Sequence, residues 1–428
     1  MLLSEMSKEE LLKFKDDVQK EYDDFKNQGL SLNMARGKPS SAQLDLAMKM
    51  LAAVNSYDAD YKASDGTDCR NYGGLDGIID AKNLFSPMLG VTNDELIVCG
   101  NSSLNIMYDT IAKCIIFGVD GVQKPWKDYE KIKWLCPAPG YDRHFAICES
   151  FGIEMITVPL NEDGPDMDMI EKLVSEDDTI KGVWCVPMYS NPTGITYSDE
   201  TVKRFANLKP AAKDFRIFWD NAYCIHHLTE TPDTLLNILD ECKKVGNDDM
   251  VYMFASTSKI TFAGGGIAVM AASKANVDYI KSLMTVQTIG FDKINQLRHA
   301  KFFGNYEGLM AQMEKHREIL QPKFEMVLDT LEREITPLGI GSWHKPRGGY
   351  FVSFDAMEGC AKRICQLCKD AGVVLTGAGA TFPYGKDPHD SNIRIAPSYP
   401  PVEELELAMK LFVAAVKLAS AEKLLEIK

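Results

Sequence analysis

The sequence predicts an α/β protein with a mostly parallel, seven-stranded sheet and a smaller α+β domain beside it. From about Tyr72 to Lys274, short apolar runs alternate with stretches in which apolar residues recur three and four positions apart. The runs are typical of buried strands, and the stretches are typical of helices that pack on one face. Strands that alternate with helices favour parallel pairing, with helices on both faces of the sheet. A chain of 428 residues is long enough to add a second domain.

Seven apolar runs are the predicted strands of this sheet. They are Glu95–Cys99, Ile132–Cys136, Glu154–Val158, Gly182–Val186, Arg216–Trp219, Val251–Ala255 and Gly266–Ala272. The last run follows the previous one after a short connection, which favours antiparallel pairing of those two strands. Ligands of such sheets bind beyond the carboxyl ends of the parallel strands, so polar residues just after each run are candidate site residues.

A second unit is predicted after Lys281, where the pattern becomes helical. Its predicted elements are the helix Asn305–Glu334, the strands Phe351–Phe354, Val373–Leu375 and Ile393–Ile395, and the closing helix Glu403–Lys423. The amphipathic N-terminal helix is expected to pack on this unit. We therefore expect a large domain of residues 50–320 and a small domain made of residues 1–49 and 321–428.

The composition argues against several classes of protein. A net charge of −14 disfavours a nucleic-acid partner, which needs a basic face. No apolar stretch approaches the ~20 residues of a membrane span. The charged N-terminus lacks the apolar segment of a signal peptide, so we expect a cytoplasmic protein without membrane contact. The eleven cysteines lack the paired spacing of a metal site, which favours reduced thiols and no metal.

Lys259 is the strongest single indication of chemistry. It lies in Ser256-Thr257-Ser258-Lys259, directly after the strand Val251–Ala255. A lysine amine can condense with an aldehyde when a desolvating or cationic setting lowers its pKa. A solvated lysine at a strand end is the alternative that the sequence alone leaves open.

Asp220 and Tyr223 follow the strand Arg216–Trp219 and are three positions apart. Asp220 could accept the proton of a pyridinium nitrogen, and Tyr223 could donate to a phenolate oxygen on the same ring. The alternative is that Asp220 only caps the next helix.

Two further clusters follow strands. The Asn191 amide, in Asn191-Pro192-Thr193-Gly194, could donate to a ligand oxygen, although Asn-Pro and Thr-Gly are also turn formers. Ser102 and Ser103 begin a predicted helix, where free N–H groups bind phosphate, although helix capping by a serine is an equal alternative. Hydroxyls of Ser256 and Ser258 could add to the same phosphate site. Together the four clusters predict a site for pyridoxal 5′-phosphate (PLP).

These residues resemble those of the fold-type I PLP-dependent aminotransferases, in the right order over almost the whole chain. The matching blocks are Asn191-Pro192-Thr193-Gly194, Asp220-x-x-Tyr223, Ser256-x-Ser258-Lys259, Asn392-Ile393-Arg394-Ile395-Ala396 and Pro137-Ala138-Pro139-Gly140-Tyr141. The resemblance implies that Arg394 binds the substrate carboxylate and that Tyr141 stacks on the cofactor ring. It also implies a homodimer, in which Tyr72 reaches the cofactor phosphate of the neighbouring subunit.

Within that family, residues 33–39 with residues 43–46 resemble the MocR-like branch of aspartate aminotransferases. The resemblance implies transfer of the amino group of L-aspartate to 2-oxoglutarate through a PLP Schiff base on Lys259, with Gly37 closing over the α-carboxylate. Lys38 and Arg36 could meet the second carboxylate of the substrate, or could be surface charges. Other amino acids (alanine or an aromatic one), a PLP β-lyase and a non-catalytic MocR-like effector-binding module are the alternatives.

One position departs from the family pattern. Many members carry an arginine seven or eight residues after the lysine, where it pairs with the phosphate. Here those positions are Gly266 and Ile267. We therefore expect the phosphate to depend on the amides of Ser102 and Ser103, the hydroxyls of Ser256 and Ser258, Tyr72 of the partner subunit, or another cation that the sequence does not identify.

Overall fold

The computed structural model describes residues 2–55, 60–122 and 124–428. Its strands are β1 (Leu32–Asn33), β2 (Leu96–Val98), β3 (Lys133–Ala138), β4 (Glu154–Asn161), β5 (Gly164–Pro165), β6 (Ile180–Cys185), β7 (Arg216–Asp220), β8 (Val251–Ser256), β9 (Ala268–Ala272), β10 (Gly341–Trp343), β11 (Val352–Ala356), β12 (Val373–Val374) and β13 (Asn392–Ile395). Its α-helices are α1 (Lys8–Lys26), α2 (Ser41–Asp45), α3 (Ile79–Leu89), α4 (Ser103–Phe117), α5 (Asp142–Ser150), α6 (Met167–Glu176), α7 (Asp199–Ala206), α8 (Ile238–Val245), α9 (Lys274–Met284), α10 (Lys293–Phe303), α11 (Tyr306–Glu334), α12 (Ala361–Asp370) and α13 (Val402–Ile427).

The main sheet contains the seven predicted strands in the order β2-β9-β8-β7-β6-β3-β4, and β5 adds a two-residue edge strand. Strands β3, β4, β6, β7 and β8 pair in parallel. The predicted antiparallel pairing of β9 with β8 is confirmed, and β9 also pairs antiparallel with β2. The prediction of a mostly parallel α/β sheet is confirmed. The carboxyl ends of β2, β3, β6, β7 and β8 therefore meet at one edge.

Both faces of this sheet are buried, as parallel sheets require. Successive residues alternate between the faces, so Val183 and Ile217 enter one apolar cluster while Trp184 and Phe218 enter the other. Every residue of β6 and β7 is buried. The central strands are thereby rigid supports for the polar residues that follow them.

The second unit has its own apolar cluster. Strands β10, β11 and β13 form an antiparallel sheet, and β1 pairs in parallel with β12. The N-terminal helix α1 places Leu11 and Val18 in the same cluster as residues of α13 such as Phe412. Tyr22 on α1 also donates to the carbonyl of Leu367, at 3.0 Å. The domain limits at about 50 and 320 stay a prediction, and this packing supports them.

In the described parts of the chain, no helix is long and apolar enough to span a lipid bilayer.

Candidate active site

A cavity of about 540 Å³ opens at the carboxyl edge of the main sheet. Twelve of the predicted site residues line it: Gly37, Lys38, Ser102, Ser103, Tyr141, Asn191, Asp220, Tyr223, Ser256, Ser258, Lys259 and Arg394. Tyr72, which was predicted to act across a subunit interface, lies outside the cavity and is 84% exposed. Arg36 also lines the cavity. Residues that lie up to several hundred positions apart in the sequence thus line one cavity.

Lys259 faces this cavity from the turn after β8. Its Nζ lies 4.9 Å from the ring centroid of Tyr223 and 5.7 Å from that of Tyr350. The surrounding protein atoms lower the pKa of the Lys259 amine, and the nearby Asp220 carboxylate opposes that shift. Lys259 is therefore not a solvated strand-end lysine.

Two buried histidines hold the segment that carries Lys259. His299 Nδ1 donates to the carbonyl of Asn295 at 2.8 Å, so its Nε2 accepts from the hydroxyls of Thr257 (3.1 Å) and Thr261 (3.0 Å). His316 Nε2 donates to the carbonyl of Ile260 at 2.9 Å. Helices α10 and α11 thereby fix the backbone on both sides of the lysine.

Asp220 ends β7 with its carboxylate buried. Its Oδ2 lies 3.1 Å from His144 Nε2, and the His144 ring stacks on Trp184 with centroids 4.3 Å apart. The other oxygen, Oδ1, is buried and has no hydrogen-bond partner among the described residues. A buried carboxylate oxygen without a partner is unfavourable, which indicates that a ligand donor completes the site. Sequence analysis missed His144, although its place three residues after Tyr141 could have indicated it.

Two tyrosine hydroxyls face the same space. Burial raises the pKa of Tyr223 well above its ordinary value and that of Tyr141 to about 12. Both hydroxyls therefore stay protonated near neutral pH and can donate hydrogen bonds.

The wall of the cavity at the start of α4 carries several hydrogen-bond donors. Ser102 is the N-cap of α4, and its side chain accepts from the backbone N–H of Asn105, so the predicted alternative of helix capping by a serine is also correct. The first N–H groups of a helix have no partner inside it, and those of α4 lie at the cavity wall. Ser256 Oγ donates to Ser258 Oγ at 3.1 Å, and Ser258 Oγ donates to the carbonyl of Asn101 at 3.2 Å, so both hydroxyls lie beside this helix start. The arrangement suits an anion.

The packing around Gly266 and Ile267 leaves little space for the phosphate-binding arginine that many family members carry at one of these positions. A Cβ at Gly266 would lie 2.9 Å from Thr257 Oγ1 and 3.3 Å from the backbone nitrogen of Ser258. Ile267 is 2% exposed and belongs to the apolar core. Neither position has room for a cationic side chain that reaches the cavity.

Arg394 enters from β13 of the second unit. Its Nη1 donates to Asp142 Oδ1 at 2.8 Å and to Asn191 Oδ1 at 3.3 Å. Its Nε and Nη2 donate to Thr376 Oγ1 at 3.4 Å and 3.2 Å. The Phe351 ring lies beneath the guanidinium, 4.9 Å from its carbon. Sequence analysis missed Asp142, Thr376 and Phe351, because these contacts join distant segments.

Asn191 contributes through both ends of its amide. It lies in a tight turn, in which Gly194 N donates to the Ser190 carbonyl at 2.7 Å, so the turn-forming alternative is also correct. Its oxygen is used by Arg394, which leaves its NH₂ group as the donor toward the cavity.

The segment of residues 35–38 covers the cavity. A Cβ at Gly37 would lie 2.3 Å from Phe351 Cζ, so only glycine allows this close approach. Thr376 Oγ1 donates to the Ala35 carbonyl at 2.8 Å, and Lys38 Nζ lies 3.9 Å from the ring centroid of Tyr399.

The described residues that line the cavity carry more positive than negative charge. The cations are Arg36, Lys38, Arg143, Lys259 and Arg394, and the carboxylates are Asp142 and Asp220. Of the cations, only Arg394 has a salt bridge to a described residue. Sequence analysis did not anticipate Arg143. The excess of cations favours anionic ligands.

A family model for aspartate aminotransferases matches residues 6–428. This chain belongs to the aspartate aminotransferase family. The prediction of an aminotransferase is therefore confirmed, and neither the β-lyase nor the non-catalytic module is supported.

Individual relatives agree with this membership. The chain is 46% identical to an aspartate aminotransferase of Corynebacterium glutamicum, over 98% of this chain and 96% of that protein. It is 45% identical to a putative aminotransferase of Mycolicibacterium smegmatis, over 99% of each. A crystal structure of an aspartate transaminase from Corynebacterium glutamicum superposes with a TM-score of 0.96 at 45% identity, covering 99% of both chains.

A more distant structure shows the fold alone. LysN, an α-aminoadipate aminotransferase of Thermus thermophilus complexed with N-(5′-phosphopyridoxyl)-L-leucine, has a TM-score of 0.74 at 19% identity. The superposition covers 99% of this chain and 96% of the LysN chain.

Proposed function

We propose that this aminotransferase moves the amino group of L-aspartate to 2-oxoglutarate, with PLP bound at Lys259. The observation that carries the proposal is the unpartnered Asp220 Oδ1, which lies in the same cavity as the Lys259 amine and the Arg394 guanidinium. When bound, PLP supplies an electron sink for the charge that develops at the substrate Cα.

The residues present fit this cofactor. Asp220 Oδ1 would accept the proton of the ring nitrogen, and His144 holds the other oxygen in place. Tyr223 would donate to the ring hydroxyl oxygen, and Tyr141 would pack on the ring. The start of α4 at Ser102 and Ser103, with the hydroxyls of Ser256 and Ser258, would hold the phosphate.

Lys259 has two roles in the proposed reaction. Its amine would hold the cofactor through the aldehyde carbon, with loss of water, and as a free amine it would take the proton from the substrate Cα. The lowered pKa of Lys259 supports the second role, because a neutral amine is the form that accepts a proton. The hydrogen bonds of His299 and His316 keep the amine directed into the cavity.

Arg394 orients the substrate. A guanidinium fork binds a carboxylate through two parallel hydrogen bonds, which fixes the direction of the Cα–H bond. The NH₂ group of Asn191 would add a third donor, and Gly37 would close over the same carboxylate.

The charge of the cavity supports a dicarboxylic substrate. A buried carboxylate without a partner is strongly unfavourable, so the second carboxylate of aspartate needs its own cation. Lys38, Arg36 and Arg143 line the cavity and form no salt bridge to a described residue. Lys38 stands over Tyr399 at the cavity wall and is our first choice.

A homodimer is part of the proposal. The segments near Tyr72 carry large apolar side chains that are exposed: Tyr108, Val286 and Ile289. Gly290 packs against Gly73, and Gln287 donates to Asp109, so these side chains come from adjoining segments. An exposed apolar patch of this kind is typical of a protein interface. The cytoplasmic location stays a prediction.

The visible absorbance of the purified protein tests this function. We expect an imine band that L-aspartate and L-glutamate bleach at low concentration, whereas L-alanine and aromatic amino acids bleach it only at much higher concentration. A band that responds to alanine or phenylalanine alone would identify another amino donor. The absence of any cofactor band after incubation with PLP would contradict the assignment of the site.

A further inference from the structure

The Arg394 guanidinium has almost no free donors in this structure. An arginine side chain has five N–H groups. Those of Nη1 are directed at Asp142 and Asn191, while Nε and one N–H of Nη2 are directed at Thr376. Arg394 is also 8% exposed, so water cannot replace these partners freely. A carboxylate that binds through two parallel hydrogen bonds must therefore displace one of them.

Asp142 is the partner best suited to leave. Asn191 and Thr376 are neutral acceptors that can stay beside a second carboxylate, whereas Asp142 carries a negative charge that repels it. Asp142 contacts Arg394 through a single oxygen, and its side chain is 31% exposed. Partial exposure lets the carboxylate regain water when it turns away from the guanidinium.

The released Asp142 would remain in a favourable place. It is the first residue of α5, and a carboxylate in the first turn of a helix is stabilised by the helix dipole. The next residue, Arg143, is a cation without a salt bridge to any described residue. The start of α5 thus continues to stabilise this carboxylate after it leaves Arg394.

We propose that Asp142 is a built-in counter-ion, which occupies the place of the substrate carboxylate on Arg394 and is displaced when the substrate binds. The proposal rests on the role of Arg394 given above. Asp142 keeps the buried guanidinium paired between turnovers and lowers the affinity for every carboxylate that must replace it. It therefore sets how readily amino acid and oxo acid exchange at this site, as a positioning residue that acts through Arg394.

The test compares the holoenzyme with its Asp142→Asn and Asp142→Ala variants. Calorimetric titration with succinate, an unreactive dicarboxylate, gives a Kd that does not depend on turnover. We expect this Kd to fall by about fivefold or more in both variants, since a partly exposed ion pair is no longer displaced. The KM values for L-aspartate and 2-oxoglutarate should fall together.

Asp168→Asn is the matched control. Asp168 also pairs with an arginine, Arg204, but its side chain is 89% exposed and lies outside the cavity. The control should leave the succinate Kd unchanged. A Kd that is unchanged or higher in both Asp142 variants would overturn the proposal, because Asp142 would then only hold Arg394 in place. Absence of the imine band in the wild-type protein would instead count against the proposed function, and the succinate titration would still report on the counter-ion.

Discussion

At the scale of single residues, the site depends on the two oxygens of Asp220. One oxygen meets His144, and the other is buried without a partner among the described residues. The sequence predicted Asp220, because an acid directly after an apolar strand is a recognisable signal. It did not predict His144 or Asp142, whose importance comes from contacts across the fold rather than from local pattern.

Asp220→Asn tests the proposed charge on the cofactor ring. The amide has the same shape but cannot hold a ring nitrogen in its protonated form, so the electron sink weakens. We expect kcat with L-aspartate to fall at least about a hundredfold, while the protein still binds PLP. Stopped-flow absorbance of the first half-reaction measures the change. A rate within a few-fold of wild type would show that Asp220 has no such role.

Gly37→Ala tests the close approach of the covering segment to Phe351, whose ring lies beneath Arg394. The added methyl would lie 2.3 Å from Phe351 Cζ, and Phe351 supports Arg394. Displacement of either group should raise the KM for L-aspartate about tenfold or more. Gly264→Ala is the control, because a Cβ there meets no atom within 4 Å. Equal KM values in the two variants would contradict the account.

At the scale of elements, most strands were predictable and three of the short ones were not. The seven strands of the main sheet each have an apolar run long enough to recognise. Strands β1, β5 and β10, which have only two or three residues each, were not predicted, whereas β12 was predicted as Val373–Leu375. Such short strands carry no periodicity, and their pairing is decided by tertiary contacts. The same applies to α10 and α11, whose helical pattern gives no sign that His299 and His316 hold the lysine segment.

These two histidines make the folded state sensitive to acid. Burial lowers the pKa of His299 and of His316 to about 4, from an ordinary value of 6.5. Below pH 6.5 the unfolded chain therefore binds protons that the folded chain does not bind until about pH 4, and stability falls across that window. The loss is roughly 3 kcal/mol for each histidine.

Urea unfolding at pH 7 and pH 4.5 measures this effect. The double variant His299→Gln and His316→Gln should lose less stability than the wild-type protein between these two pH values. His389→Gln is the control, since the His389 side chain is 68% exposed. If the double variant and wild type lose stability equally, the buried histidines do not account for the acid sensitivity.

At the scale of the whole molecule, the site joins two separately packed units. Asp220 ends a strand of the main sheet and Lys259 follows another, while Arg394 and the covering segment belong to the second unit. The sequence predicted a second unit from the change of pattern after Lys281, and the domain limits at about 50 and 320 stay a prediction. The sequence did not identify a replacement for the phosphate arginine, since such a group depends on side chains brought together only by folding.

The proposed homodimer gives a prediction at this scale. Val286 is 88% exposed in the apolar patch beside Tyr72. Val286→Glu should shift the protein toward monomer in sedimentation velocity and weaken PLP retention, because Tyr72 would no longer reach the partner's phosphate. Ile427→Glu, on an exposed residue at the end of α13, is the control and should do neither. A wild-type protein that is monomeric with full cofactor would contradict the proposed interface.

The covalent attachment of the cofactor is the claim on which the rest depends. Borohydride reduction of the PLP-loaded protein, followed by peptide mass mapping, locates it directly. We expect the phosphopyridoxyl mass on the peptide that contains Lys259, and its loss in Lys259→Ala. A modification on a different lysine, or none in a protein that transaminates aspartate, would contradict the account.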